Sequence, residues 1–242
     1  MSDSSNNPAP RYVEHDFTNS AELAEALAAD VAGRLRAAID SRGQALLALS
    51  GGTTPLKFMH ALSTRQLDWP RVIVTLCDER WVPPQHERSN ARLIREALLQ
   101  GAASAATFIP LYVDAPDPES GLAQISAEVS SLPLPIDAAV LGLGLDGHTA
   151  SLFPDADRID AALDARGTAL VLPMRSPTAA EPRITLTLPA LVAARALYLH
   201  IEGPEKKQVF ARTTNGEDVS PRNPLRALMQ HAGAPLVVYW CD

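Results

Sequence analysis

A chain of 242 residues with 46% hydrophobic side chains is long enough to bury a sizeable core, and 28 acidic against 21 basic residues leave it a net charge of −7. That balance excludes a surface that gathers nucleic acid, so an anionic ligand has to be held by a local cationic pocket. No apolar run approaches the roughly 18 residues of a membrane span, and Cys77 and Cys241 make no disulfide framework. The six histidines stand apart, with no pair at metal-ligand spacing, so neither a metal nor a cofactor is expected.

Residues 1–14 read as a loosely attached tail; their polar start has no signal-peptide core, which makes the cytoplasm the expected compartment. Residues 15–242 read as a single domain. Asn19 with Glu22 fits a capping box, and Leu23, Leu27, Val31, Leu35 and Ile39 recur every four residues on one helical face until Gly43. Ala45 to Leu49 is a short apolar run suited to a buried strand. It ends in Ser50-Gly51-Gly52-Thr53-Thr54-Pro55, after which Leu56, Met59, His60 and Leu62 continue with helical spacing. A Gly-Gly turn that opens a helix leaves backbone N–H groups free at the positive end of the helix dipole, with hydroxyls beside them. This predicts a phosphate cradle, and the missing Gly-Lys-Ser/Thr argues against a nucleotide P-loop.

Arg71 to Leu76 predicts a second buried strand, closed by a polar stretch that contains Asp78-Glu79-Arg80. Ser89-Asn90 caps a further helix. Phe108 to Val113 reads as a short strand, and a Pro-rich surface loop leads into a helix that runs to Leu132. Beyond residue 168, Ala169 to Leu172 and Arg183 to Leu188 read as strands, the second alternating and hence half-exposed. Arg195 to Ile201 is another strand, with a helix from about Glu205, a helix over Leu225 to His231, and a closing strand from Pro235 to Trp240. Strands alternating with helices imply one doubly wound, mostly parallel α/β sheet.

The centre of this pattern is Ile136 to Pro154. Its apolar strand ends in Gly142, Gly144 and Gly147, with Asp146 and His148 two residues apart. In open parallel sheets the ligand crevice lies outside the carboxyl ends of the strands, so both side chains are expected to face substrate. An unperturbed imidazole, with a pKa of about 6.5, suits proton transfer near neutrality. Gly142 to Gly147 also matches the dinucleotide fingerprint G-x-G-x-x-G. Pro154 follows too soon for the full helix that motif requires, and the match is read as accidental.

Taken in order, Ser50 to Pro55, Asp78 to Val82, Ser89-Asn90, Asp146 to Pro154, Arg183 to Leu186 and Gly203 to Lys206 make nearly the whole chain resemble the 6-phosphogluconolactonases, within the glucosamine-6-phosphate isomerase/deaminase-like superfamily. Related deaminases carry Asp-Gly-His followed shortly by Phe-Asn-Glu-Pro; Ser151-Leu152-Phe153-Pro154 has no acid there. The resemblance therefore implies hydrolysis of 6-phospho-D-glucono-1,5-lactone to 6-phospho-D-gluconate in the oxidative pentose phosphate pathway. It implies His148 as the base that activates water, Asp146 as the group that orients it, and Arg80 as the cation for the developing oxyanion or a sugar oxygen. It places the phosphate on Ser50, Gly51, Gly52, Thr53 and Thr54, with Arg183 and Lys206 supplying charge and Asp78 and Asn90 also in the binding set. The partner is a phosphosugar lactone, with no nucleic acid or membrane, and the chain a monomer or small homo-oligomer. The partner of His148 stays open among Asp146, Asp78 and Glu79. The rival readings are an amino-sugar-6-phosphate deaminase or isomerase, a non-catalytic sugar-phosphate-binding module, and a dinucleotide-dependent dehydrogenase.

Overall fold

A computed structural model describes residues 11–242. Seven strands form one parallel sheet: β1 (Tyr12–Phe17), β2 (Ala45–Leu49), β3 (Val72–Leu76), β5 (Thr107–Ile109), β6 (Ala138–Leu141), β9 (Leu197–Glu202) and β10 (Leu236–Cys241), in the spatial order β1-β10-β9-β6-β2-β3-β5. A second, antiparallel sheet joins β4 (Asp78–Arg80), β8 (Arg183–Leu186) and β7 (Val171–Met174) in the order β4-β8-β7. The helices are α1 (Ser20–Arg42), α2 (Leu56–Ser63), α3 (Asn90–Ala97), α4 (Pro118–Ser130), α5 (Ile159–Ala162), α6 (Leu188–Val192), α7 (Pro204–Thr214) and α8 (Pro224–His231). The parallel α/β sheet expected from the alternation is present, and the small sheet is an addition to it.

Every residue of β2 and β6 is buried, as all-apolar strands covered on both faces should be. From β2 the chain winds through β3 to the edge at β5, then returns to β6 and winds the other way through β9 and β10. The reversal lies between β2 and β6. A crevice opens where such a reversal splays the connections apart, so the segments after Leu49 and Leu141 form its two sides.

Local chemistry sets the boundaries. The Asn19 side chain accepts from the amides of Ala21 (3.0 Å) and Glu22 (2.9 Å), and Gly43 closes α1 at φ 80°. The predicted capping box is only half made, because Glu22 accepts from the Thr18 hydroxyl at 2.6 Å instead. The last residues of the tail expected over 1–14 belong to a strand instead: from Tyr12 the chain is an edge strand paired with β10, an interaction that only the distant β10 reveals, and the rest of that expectation, residues 1–10, lies outside the described region. Asp78 to Arg80, read as a polar closing stretch, is a strand because it pairs with β8. β8, expected to be half-exposed, is fully buried between that neighbour, β7 and the core. Cys77 stitches the two sheets together: its amide donates to the Leu49 carbonyl at 2.8 Å, and its carbonyl accepts from the Leu186 amide at 2.8 Å.

Candidate active site

One cavity of about 530 Å³ occupies the crevice, lined by Ser50 to Pro55, by the strand end from Val140 to Gly144, and by side chains from both sheets. All twelve residues singled out in the sequence line it: Ser50, Gly51, Gly52, Thr53, Thr54, Asp78, Arg80, Asn90, Asp146, His148, Arg183 and Lys206. They divide into an acid–imidazole end, a cationic wall and an N–H-rich loop.

The acid–imidazole end sits on the turn after β6. His148 Nδ1 lies 2.5 Å from Asp146 Oδ1, so Asp146 is the partner of the histidine. Two residues of spacing suffice because the loop doubles back: Gly144 donates to the His148 carbonyl at 2.8 Å, and Gly147, at φ 87°, donates to the Gly144 carbonyl. A Cβ on Gly144 would collide with the imidazole and the Asp146 carboxylate, so only glycine fits there. Thr149 Oγ1 donates to the Gly142 carbonyl (2.8 Å), and Ser151 Oγ donates to Asp78 Oδ2 (2.6 Å). Between these two anchors Ala150 is held at φ 49°, a conformation a non-glycine residue adopts only when its surroundings insist. No helix follows Gly147 until Ile159, in keeping with the accidental reading of the dinucleotide pattern. Burial pushes the Asp146 carboxyl up, but the hydrogen bond and charge of His148 outweigh it and hold the group below its ordinary value. With Nδ1 turned to a carboxylate, Nε2 is the nitrogen left for chemistry. Phe153 packs its ring 4.3 Å from the imidazole and 5.7 Å from the Arg183 guanidinium carbon.

The cationic wall follows from strand alternation. In β4, Asp78 and Arg80 share the face toward the cavity and Glu79 points away. Glu79 instead accepts from the amides of Asn90 (2.7 Å) and Ala91 (2.7 Å) and from the Ser89 hydroxyl, which makes it the anchor of α3. Burial still pushes its carboxyl up against those donors. Arg80 is the register partner of Arg183 across β4 and β8, and two like charges placed opposite each other repel. Arg88 adds a third guanidinium to the cavity wall, paired with Glu181 at 2.8 Å. Burial lowers the Arg183 pKa, and the facing Asp78 works against that effect. A wall built this way is arranged for an anion.

The loop after β2 completes the site. A Cβ on Gly51 would fall on the Asn90 carboxamide, whose Nδ2 donates to the Asp78 carbonyl at 2.9 Å; Asn90 thus buttresses the loop from below. Lys206, in the first turn of α7, donates to Thr54 Oγ1 at 2.9 Å, and burial pushes its amine below the ordinary value. Sequence reasoning quoted Ser151 and Phe153 without giving them a place in the site, and passed over Arg88 and His200. His200 is buried within β9 and bonds through Nε2 to Glu202 Oε1 at 2.9 Å. Its signal was an acid at i+2, hidden inside an apolar run.

The architecture is that of a doubly wound α/β protein with its crevice at the switch point of the parallel sheet. Residues 18–238 match the family model described as glucosamine-6-phosphate isomerases/6-phosphogluconolactonase, and the chain belongs to that family. It is 48% identical over 226 residues to a 6-phosphogluconolactonase of Rhizobium meliloti, covering 93% of this chain and 97% of the relative. It is likewise 48% identical over 229 residues to one of Mesorhizobium japonicum, covering 95% of both chains. The crystal structure of a 6-phosphogluconolactonase from Shewanella baltica superposes with a TM-score of 0.91 at 38% identity, covering 96% of this chain and 98% of that one.

Proposed function

We infer that the chain hydrolyses 6-phospho-D-glucono-1,5-lactone to 6-phospho-D-gluconate. The observation that carries this reading is the Asp146–His148 pair, held at 2.5 Å on the rim of a cavity whose other walls present three guanidiniums, an ammonium and a helix-opening glycine loop. The names of the relatives point to the same substrate.

The phosphate sits on the backbone amides of Gly51 to Thr54, with Lys206 and Arg183 neutralising its charge. That seating brings the lactone C1 to His148. A water molecule attacks C1 as Nε2 removes its proton, and Asp146 stabilises the imidazolium through Nδ1. The carbonyl electrons move onto oxygen, where the Arg80 guanidinium meets the developing charge. As the tetrahedral centre collapses, the C1–ring oxygen bond breaks and the imidazolium returns its proton to the departing hydroxyl. The lactone carries its own leaving group, so no covalent enzyme intermediate is needed. The stretch after His148 supplies Ser151 and Phe153 where an aldose–ketose or deaminating reaction would need a second acid, and both are committed elsewhere.

The test is the opening of freshly generated 6-phosphogluconolactone above its spontaneous background, for wild type and His148→Ala side by side. Acceleration by the wild type that vanishes in the variant is expected. A folded wild type with no acceleration overturns the lactonase reading.

A further inference from the structure

The chain holds a second histidine–carboxylate pair that the hydrolytic chemistry does not use. His200 and Glu202 lie on β9, the strand beside β6, and His200 is 2% exposed while lining the same cavity as Lys206 and Pro55. Its Nε2 bonds to Glu202 Oε1 at 2.9 Å, and Glu202 also accepts from Ser20 Oγ at 3.0 Å on the first turn of α1. The Phe58 ring meets the imidazole edge-on from α2. Nδ1 has no hydrogen-bond partner among the described residues. A buried ring nitrogen left unpaired is costly, and such atoms cluster where a ligand completes the bonding.

We propose that His200 is a phosphate-binding side chain that takes the ligand as an imidazolium, with Nε2–H donating to Glu202 and Nδ1–H donating to a phosphoryl oxygen. It rests on the phosphosugar reading of the site and adds to it a proton that enters with the ligand. The cavity end fits this use. The ligand brings about two negative charges, and Lys206 reaches the same region from α7. The ionisable groups around the pair are Glu202 on its own strand, Lys57 from α2, Lys206 from α7, and Cys241 and Asp242 at the end of β10. With Glu202 as counter-ion, the second proton on the ring is compensated on one side by a carboxylate and on the other by the phosphate. Ligand binding is therefore coupled to protonation of one defined ring.

The experiment is titration calorimetry of the whole chain with 6-phosphogluconate, and with gluconate as the control, in two buffers of different ionisation enthalpy. Binding of 6-phosphogluconate near neutral pH is expected to take up protons, to weaken as pH rises, and to exceed that of gluconate. His200→Gln should weaken 6-phosphogluconate binding about tenfold and abolish the uptake, since one charge-assisted hydrogen bond is lost. Glu202→Gln keeps the imidazole but removes its counter-ion, so it too should lose the uptake; it carries the test if His200→Gln does not fold. Uptake that persists in a folded variant would belong to another group and would overturn the assignment. Binding by His200→Gln within twofold of wild type would overturn it as well. Calorimetry needs no turnover: a wild type that binds 6-phosphogluconate with uptake but does not open the lactone sinks the lactonase reading and leaves His200 in place.

Discussion

The two histidine–carboxylate pairs occupy matching places, at the carboxyl ends of neighbouring parallel strands, with acid and imidazole two residues apart in both. They differ in everything that decides chemistry. Asp146 and His148 stand on an irregular turn, with 32% of the imidazole side chain exposed, and they join through Nδ1. His200 and Glu202 stand at a regular strand end, with 2% of the imidazole exposed, and they join through Nε2. A ring that must exchange a proton with water on each turnover has to see water. A ring that only has to hold a charge against an anion gains from being shut away, because an ion pair is stronger where solvent is excluded. Exposure, more than residue type or spacing, separates the proposed base from the proposed binding group.

The largest expected effect separates the pairs by rate. His148→Ala should lower kcat about 10²–10⁴-fold with KM nearly unchanged, the range for losing a general base; a loss confined to KM would make His148 a binding residue and erase the contrast. Stability separates them in the opposite sense. His200→Ala removes a buried ring packed on Phe58 and takes from Glu202 one of its two donors, so a cost of about 2–3 kcal/mol is expected in urea unfolding. By the same measure His148→Ala should cost about 1 kcal/mol or less, because the pair it breaks with Asp146 is partly exposed. Asp146→Asn sharpens the first pair from within: the carboxamide can still accept from Nδ1–H but brings no charge to the imidazolium, and kcat should fall about tenfold.

The smallest effect is one of pH. The His200 bond holds the Glu202 carboxyl below its ordinary value against the opposing pull of burial, with Ser20 assisting. A depressed carboxyl contributes stability that is complete above the ordinary pKa of about 4.3 and is lost as pH falls through the lower folded value. Unfolding midpoints measured from about pH 5 down to pH 3 should therefore fall less steeply for Glu202→Gln than for wild type. Equal slopes would mean that the pair gives the fold nothing.

How much of this was legible in the sequence depended on whether the information was local. β2 and β6 announce themselves as apolar runs, α1 by its four-residue repeat between Asn19 and Gly43, and the crevice by the glycines and charged groups just past each strand. The edge strand at Tyr12 and the three-residue strand at Asp78 carry almost no local signal, because each exists only through a partner elsewhere in the chain. The choice among Asp146, Asp78 and Glu79 needed the turn geometry and the alternation of β4, which send one acid to the imidazole, one to Ser151 and one to α3. His200 was missed because an apolar strand read as core, and an imidazole inside it reads as core too.

The pairing of β1 with β10 bears on how the protein is made. Tyr12 and Leu236 are register partners, so β1 has its hydrogen-bonding neighbour more than two hundred residues further along the chain. β2 and β3 can meet early, since only α2 and the loops that flank it separate them, whereas β1 must wait beside a half-built sheet until β10 emerges. Lys207, over the Trp240 ring and paired with Glu14, ties the late strand to the early one once both are present. The sheet's own edge thus closes only once β10 has been made, and a nascent chain halted before residue 236 should carry β1 unpaired and open to protease.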